Sequence, residues 1–185
     1  PRWATGIMTQ MMKRYPGLEV NLTLDNSKTL LDMVLSYQID LAYVGAHLPN
    51  TDCEMRIISE PEIVFAVSKK HPLCTKGSVS REEFKEQTLI QREIGSETRN
   101  LMDTALGQNG YIPGRVAIFG SREGALQAAQ EGLGLAPVST DEIPENLQVA
   151  KIRAADFQIY GEIHAVCLKS RRDLPIIAEA LEARA

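Results

Sequence analysis

Three short stretches place hydroxyl, amide and guanidinium groups where a helix would begin. They are Asn26-Ser27-Lys28-Thr29, Arg92 with Ser96, Glu97 and Thr98, and Gly120-Ser121-Arg122. A helix start leaves backbone N–H groups without helical partners, and the helix dipole adds partial positive charge there. That combination suits a small anion such as a carboxylate. Asn26, Ser27, Thr29, Ser96, Thr98 and Ser121 are donors of the right kind, and Arg92 or Arg122 is a candidate counter-charge. Taken singly, each start is equally an ordinary cap, and either arginine is equally plain surface.

Groups for catalysis are not assembled in the same way. His47, His71 and His164 lie far apart, and the chain has no G-x-S-x-G, no P-loop and no H-E-x-x-H. Gly132-Leu133-Gly134 echoes a dinucleotide loop, but it follows a helical pattern instead of preceding one. The isolated carboxylates form no acid–base pair. Cys53, Cys74 and Cys167 fit neither a disulfide framework nor a zinc spacing, which reads as reduced thiols in a cytoplasmic protein. The expectation is a binding module with no catalytic residues, no metal and no cofactor.

The 185 residues are 44% hydrophobic and 24% charged, ordinary for a globular chain and enough for one large domain or two small ones. A formal net charge of -4 gives no bulk attraction to DNA or to an anionic membrane. No apolar run approaches the ~20 residues of a membrane span.

The pattern along the chain supplies the elements that must position those helix starts. Ile7, Met8, Met11, Met12 and Tyr15 share a helical face that stops before Pro16-Gly17. Val20, Leu22 and Leu24 alternate with polar residues and predict a strand. Asp25-Asn26-Ser27 opens the next helix, with Leu30, Leu31, Val34 and Leu35, and the apolar run Leu41 to Val44 reads as a buried parallel strand. Helix, strand, helix, strand in that order predicts a parallel α/β sheet. A weak strand lies near Met55 to Ser59, a strong one at Ile63 to Val67, and Ser80 to Glu83 is a capping box. Further on, Ser96 heads a helix with Leu101, Met102, Ala105 and Leu106, and Val116 to Phe119 is a strand. Ser121 caps a helix with Ala125, Leu126, Ala128, Ala129 and Leu133 on its apolar face, ended by Gly132 and Gly134. Leu135 to Val138 is a short buried strand followed by polar Ser139 and Thr140. Strands at Leu147 to Ile152 and Gly161 to Leu168, then a helix from Asp173 to Ala183, complete the chain.

At these spacings the chain resembles the effector-binding domain of LysR-type transcriptional regulators. The resemblance is carried by Arg14-Tyr15-Pro16-Gly17-Leu18-Glu19-Val20, Leu30 to Leu35 with Ile39-Asp40-Leu41-Ala42, His71-Pro72-Leu73, and Glu131-Gly132-Leu133-Gly134-Leu135-Ala136-Pro137. It implies an α/β fold similar to type 2 periplasmic binding proteins: two Rossmann-like subdomains joined by two crossover strands. The first would be residues 1–86 plus 171–185 and the second 87–170, with hinges near Thr88-Leu89 and Leu168-Ser170. The resemblance further implies a ligand-sensing domain of a bacterial transcription factor. A small, anionic metabolite would bind in the cleft between subdomains, at Asn26, Ser27, Thr29, Arg92, Ser96, Thr98, Ser121 and Arg122. DNA would be bound only through an N-terminal winged helix-turn-helix missing from this chain. The peroxide-sensing relatives use two cysteines in the second subdomain. Here only Cys167 falls there, so thiol sensing is not expected. The domain would form a homodimer or tetramer, through the helices Ser27 to Tyr37 and Ser121 to Gly132, with Ala125, Ala128 and Ala129 on an outer face. A transport-type solute-binding protein of the same fold is the alternative; the unpaired cysteines and the lack of a leader speak against it.

Overall fold

The computed structural model describes residues 2–45 and 49–183; His47 lies outside the described residues. The elements in chain order are α1 (Arg2–Arg14), α2 (Ser27–Leu35), β1 (Ala42–Val44), β2 (Cys53–Ser59), β3 (Glu62–Ser68), α3 (Leu73–Lys76), β4 (Ser78–Val79), α4 (Arg81–Phe84) and β5 (Thr88–Arg92). Then come α5 (Glu97–Gln108), β6 (Arg115–Phe119), α6 (Arg122–Gln130), β7 (Ala136–Ser139), β8 (Val149–Ala154), β9 (Ile159–Tyr160), β10 (Ile163–Leu168) and α7 (Pro175–Glu182). They form two compact units, Pro1–Glu60 with Glu162–Ala185, and Pro61–Gly161. The division expected from sequence, 1–86 plus 171–185 against 87–170, is therefore displaced. β3 pairs only within the second unit and β10 only within the first, so the chain changes unit at 60/61 and 161/162 and not at the expected hinges.

In the first unit β10 runs between β1 and β2, antiparallel to both. The apolar run at Leu41 to Val44 is thus an edge strand of an antiparallel sheet, not a member of a parallel one. β10 shows why its sequence reads as nearly continuous apolar residues. Val166 and Leu168 face α2 with Leu31 and Val34, while Ala165 and Cys167 face α7 with Ile177 and Leu181. Successive side chains of a strand point to opposite faces, so a strand covered on both sides is apolar throughout. Cys53 and Cys167 fall on those opposite faces, and all three cysteines are free thiols. Burial pushes the Cys167 thiol up to about 11, which leaves it a packing group and not a nucleophile.

Val20 to Leu24 forms no strand: the segment pairs with no strand among the described residues, and Leu22 and Leu24 are exposed. Alternation alone gives a strand only where a neighbour takes up the backbone N–H and C=O groups.

The second unit is built around β3. It lies antiparallel to β7, β8 and β9, and β4 extends the sheet parallel to β8. β7 joins β5 through a parallel bridge, Leu89 opposite Leu135, with Ile90 N donating to Leu135 O at 2.8 Å and Leu135 N to Thr88 O at 2.9 Å. β6 then pairs parallel to β5. Ile63, Phe65 and Val67 point to the α5 side with Met102 and Leu106; Val64 and Ala66 point to the α6 side with Ala125, Leu126 and Ala129. Rings of Phe65, Phe84, Tyr111 and Phe157 pack in sequence on the first face, with centroids 5.1–5.6 Å apart. Gly134 permits the β5–β7 approach. A Cβ there would overlap the backbone carbonyl of Thr88, so no other residue fits without moving a strand.

The face of α6 expected to point outward is the one it buries. Ala129 is wholly buried and Ala125 nearly so against the sheet, with Ala128 packed beside them. Leu31 and Val34 of α2 are spent in the same way on their own sheet. Leu133, expected on the apolar face of α6, lies past its end and is exposed.

Candidate functional site

The strand order β6-β5-β7 in the second unit decides where a ligand can sit. The chain leaves β5, passes through α5 to β6 on one side, then crosses back through α6 to β7 on the other. All three strands are parallel, with α5 and α6 on opposite faces. In such a sheet the crossover direction reverses between β5 and β7, and a crevice opens beyond their carboxyl ends. The residues that follow β5 and β7 frame that crevice. After β5 come Glu93, Ile94, Gly95 and Ser96; after β7 come Thr140, Asp141 and Glu142 in a 3-10 turn.

The predicted site residues divide by what their side chains already do. In the first unit, Asn26 Oδ1 accepts from Thr29 N at 3.0 Å and so caps α2. Ser27 Oγ accepts from Gly45 N at 3.2 Å and fastens that helix start to the end of β1. In the second unit, Ser121 Oγ accepts from Gly124 N at 3.1 Å and caps α6. Both candidate counter-charges are engaged within the fold. Arg92 donates from Nε and Nη2 to Glu93 at 2.8 and 2.6 Å, which holds the Glu93 carboxyl below its ordinary range. Arg122 donates to Glu142 through Nη1 and to Glu123 through Nη2. Burial keeps the Glu142 carboxyl above the usual range even beside that guanidinium. Both candidate counter-charges thus carry ion pairs within the fold.

Ser96 differs from all of these. It occupies the N-cap position of α5, yet its side chain makes no capping hydrogen bond. The residue is only 9% exposed. It stands at the start of a 12-residue helix, on the rim of the reversal point, with its hydroxyl uncommitted among the described residues. Thr98, half-buried two residues further on, makes no side-chain hydrogen bond either among the described residues. The loop that delivers them is fixed from behind. Arg99 Nη1 donates to Arg92 O at 2.8 Å, Arg99 Nε reaches Asp103 at 3.3 Å, and Gln91 Nε2 donates to Asp103 at 2.6 Å. Gly95, at φ 96°, makes the left-handed turn between the loop tip and Ser96.

The sequence reading missed the turn after β7. Ser139 is buried and donates to Asp141 Oδ1 at 2.6 Å, while Asp141 Oδ2 is buried with no hydrogen-bond partner. The change from apolar to polar at Ser139 is visible in the sequence; its neighbour across the sheet is not. A groove of about 580 Å³, lined by Ser68 to Pro72, Gln130 to Gly132 and Gln148, lies at the opposite ends of β3 and β7. Its polar groups bond one another: Lys69 Nζ to Gln148 Oε1 at 3.2 Å and Gln148 N to Gln130 Oε1 at 2.9 Å. Its size does not make it the better candidate.

Comparison with known proteins agrees with this architecture. The family model described as LysR substrate binding domain matches residues 1–183. The chain is 26% identical over 141 residues to the HTH-type transcriptional regulator CysL of Bacillus subtilis (strain 168), covering 76% of this chain and 47% of that protein. It is 26% identical over 170 residues to the RuBisCO operon transcriptional regulator of Allochromatium vinosum, covering 92% and 56%. The chain thus spans about half the length of the curated relatives it matches. Among solved structures, the CcmR regulatory domain of Synechocystis PCC6803 in complex with 2-PG superposes with a TM-score of 0.84 at 20% identity, over 98% of this chain and 88% of that one.

Proposed function

The chain belongs to the LysR substrate-binding domain family, and from that premise we propose that it senses a small anionic metabolite at the start of α5. It has the type 2 periplasmic-binding-protein-like fold, and it is a binding domain of regulators, not an enzyme. The observation that carries the reading is Ser96: a largely buried residue whose hydroxyl makes no capping hydrogen bond, at the N-terminus of the helix beside the crossover reversal. Anions are favoured there by the free N–H groups and the dipole together. Thr98 adds a second hydroxyl. In the second unit Ser121, Arg122 and Arg92 hold a helix start and loops in place; in the first unit Asn26, Ser27 and Thr29 do the same at the start of α2. The relative of similar fold was solved with 2-PG, which supports a small effector as the ligand class.

In the whole protein, effector binding would shift a population of domain conformations and thereby the activity of an N-terminal DNA-binding domain outside this chain. The protein would act in the cytoplasm as a homodimer or tetramer. With the small-residue face of α6 buried, the surface that supports self-association is the edge strand β6, where Val116 and Ile118 are exposed on a hydrogen-bonding edge. Ile118→Glu should then sediment as a monomer with unchanged secondary structure; a variant still dimeric at the parent's dimeric concentration removes β6 from the contact.

The test of ligand sensing is a thermal-shift series with small carboxylates and phosphates beside their neutral amide or ester counterparts. A ligand at ~100 times its Kd adds ~2.7 kcal/mol of stability. Anions that raise the melting temperature while the neutral counterparts do not support the reading. Equal shifts from both, or none from any anion, contradict it.

A further inference from the structure

The groove at the far ends of β3 and β7 has its amide acceptors spent and its donors left over. Gln130 Oε1 accepts from Gln148 N at 2.9 Å, which fixes the amide orientation, and Gln130 Nε2 finds no acceptor among the described residues. Gln148 Oε1 is occupied in turn by Lys69 Nζ at 3.2 Å. Lys69 thus meets a neutral amide, and Lys70, exposed beside it, has no ion pair among the described residues. His71 is committed to the fold: Nδ1 accepts from Leu73 N at 3.2 Å, so Nε2 carries the proton and donates to Gln87 Oε1 at 3.1 Å. The last turn of α6 closes on itself, with Gly132 N donating to Ala129 O and Leu133 N to Ala128 O, both at 3.0 Å. The acid in the lining is Glu131, exposed, with Oε1 accepting from Gln127 Nε2 at 3.0 Å. Two lysines against one glutamate leave the groove locally positive in a chain of net charge -4. Its volume of about 580 Å³ suits a small molecule, since such sites run from about 300 to 1,000 Å³.

We propose that this groove binds a compact anion of two or more charges through Lys69, Lys70 and the Nε2 group of Gln130. It is a separate site from the one at Ser96. Ser96 follows the carboxyl end of β5, whereas Gln130 to Gly132 precede the amino end of β7, which runs parallel to β5. The proposal therefore does not rest on the Ser96 reading. A single charge satisfies one lysine and leaves the other, so a monoanion fits less well. Phosphate and carboxylate oxygens accept from ammonium and amide N–H groups in the same way. Glu131 opposes either, and its charge sets how tightly the groove holds them.

Calorimetric titration with inorganic pyrophosphate, citrate and acetate tests this, at about 0.15 M salt, where exposed charges more than about 8 Å apart are screened. The parent should bind pyrophosphate, citrate or both at one saturable site, and acetate roughly tenfold or more weakly. Pyrophosphate alone marks a phosphate-bearing ligand, citrate alone a polycarboxylate, and both a site that reads charge. The exposed pair Lys69→Gln, Lys70→Gln should weaken binding roughly tenfold or more. Gln130→Glu keeps an acceptor for Gln148 N while removing the donor and adding a negative charge; it should weaken binding as much. Glu131→Gln should act in the opposite direction and tighten binding about two- to threefold, as for one exposed charge. No saturable binding of either polyanion by the parent overturns the proposal, and so does affinity unchanged in the lysine pair. Loss in the lysine pair with none in Gln130→Glu also overturns it, because the anion then meets the lysines outside the groove. Ser96→Ala keeps the two sites apart. Binding that falls in Ser96→Ala and persists in the lysine pair belongs to α5, so this proposal fails while the other stands.

Discussion

Ser96 and Ser121 hold the same formal position, one residue before a helix that follows a parallel strand, yet they are used differently. Ser121 turns its hydroxyl back onto Gly124 N and completes its own helix. Ser96, a largely buried residue, makes no capping hydrogen bond to α5 and leaves its hydroxyl unbonded. The same division separates Ser80, which forms a full capping box with Glu83, and Asn26, which caps α2, from Ser96. A hydroxyl at a helix start is a stability device when it bonds inward, and it becomes available to a ligand only when it does not. Binding potential is therefore marked by the missing cap and not by residue type.

The comparison depends first on the strand pairing that places Ser96 at the crossover reversal, and the largest effect should come from disturbing it. Gly134→Ala would force a methyl group against the Thr88 carbonyl and separate β7 from β5. We expect a loss of roughly 3 kcal/mol in denaturant unfolding, at the upper end for overpacking. A change under about 0.5 kcal/mol, the ordinary range for a harmless substitution, would mean that the pairing is not tight. Next in size is the cap itself. Ser121→Ala should cost about 1 kcal/mol by the same measurement, whereas Ser96→Ala in the unliganded domain should cost less than half of that. Equal costs would erase the distinction between the two serines.

A smaller effect concerns Glu83 in the capping box, where Lys76 and Ser80 hold the carboxyl down to about 2. A carboxyl depressed in the folded state stabilises it while ionised, so its contribution is complete above the unfolded value near 4.5 and disappears as pH falls toward 2. The melting-temperature difference between the parent and Glu83→Gln should be constant near neutrality and close across that interval. A difference independent of pH would show that charge plays no part in this cap.

The sequence made the helices and the apolar strands legible because each buries a face with its own period. Met102 and Leu106 of α5, Ala125 and Ala129 of α6, and the run in β3 all pack as their spacing requires. The capping box at Ser80 needed nothing beyond local chemistry. Other features depended on partners distant in sequence. Val20 to Leu24 has the alternation of a strand but no strand to pair with. The run before Val44 reads as apolar whether its neighbours are parallel or antiparallel. The division into units follows which strand β3 and β10 join, which no local pattern states. Within the candidate site, the residue types at Ser96, Thr98 and Ser121 were legible and their hydrogen bonds were not. The unpartnered oxygen of Asp141 was not legible, because it depends on which donors the fold brings near it. The ion pairs of the two arginines were only half legible: Glu93 is one residue from Arg92, whereas Glu142 is brought to Arg122 by the turn after β7.

We propose that the hydroxyls of Ser96 and Thr98 are kept free for an anion. The most direct measurement is the affinity of the Ser96→Ala, Thr98→Ala double variant for an anion that stabilises the parent, taken together with the melting temperature of the unliganded protein. We predict affinity lower by roughly tenfold or more, as expected for lost hydrogen bonds to a charged group, with the unliganded melting temperature nearly unchanged. Unchanged affinity would contradict the account and remove α5 from the site.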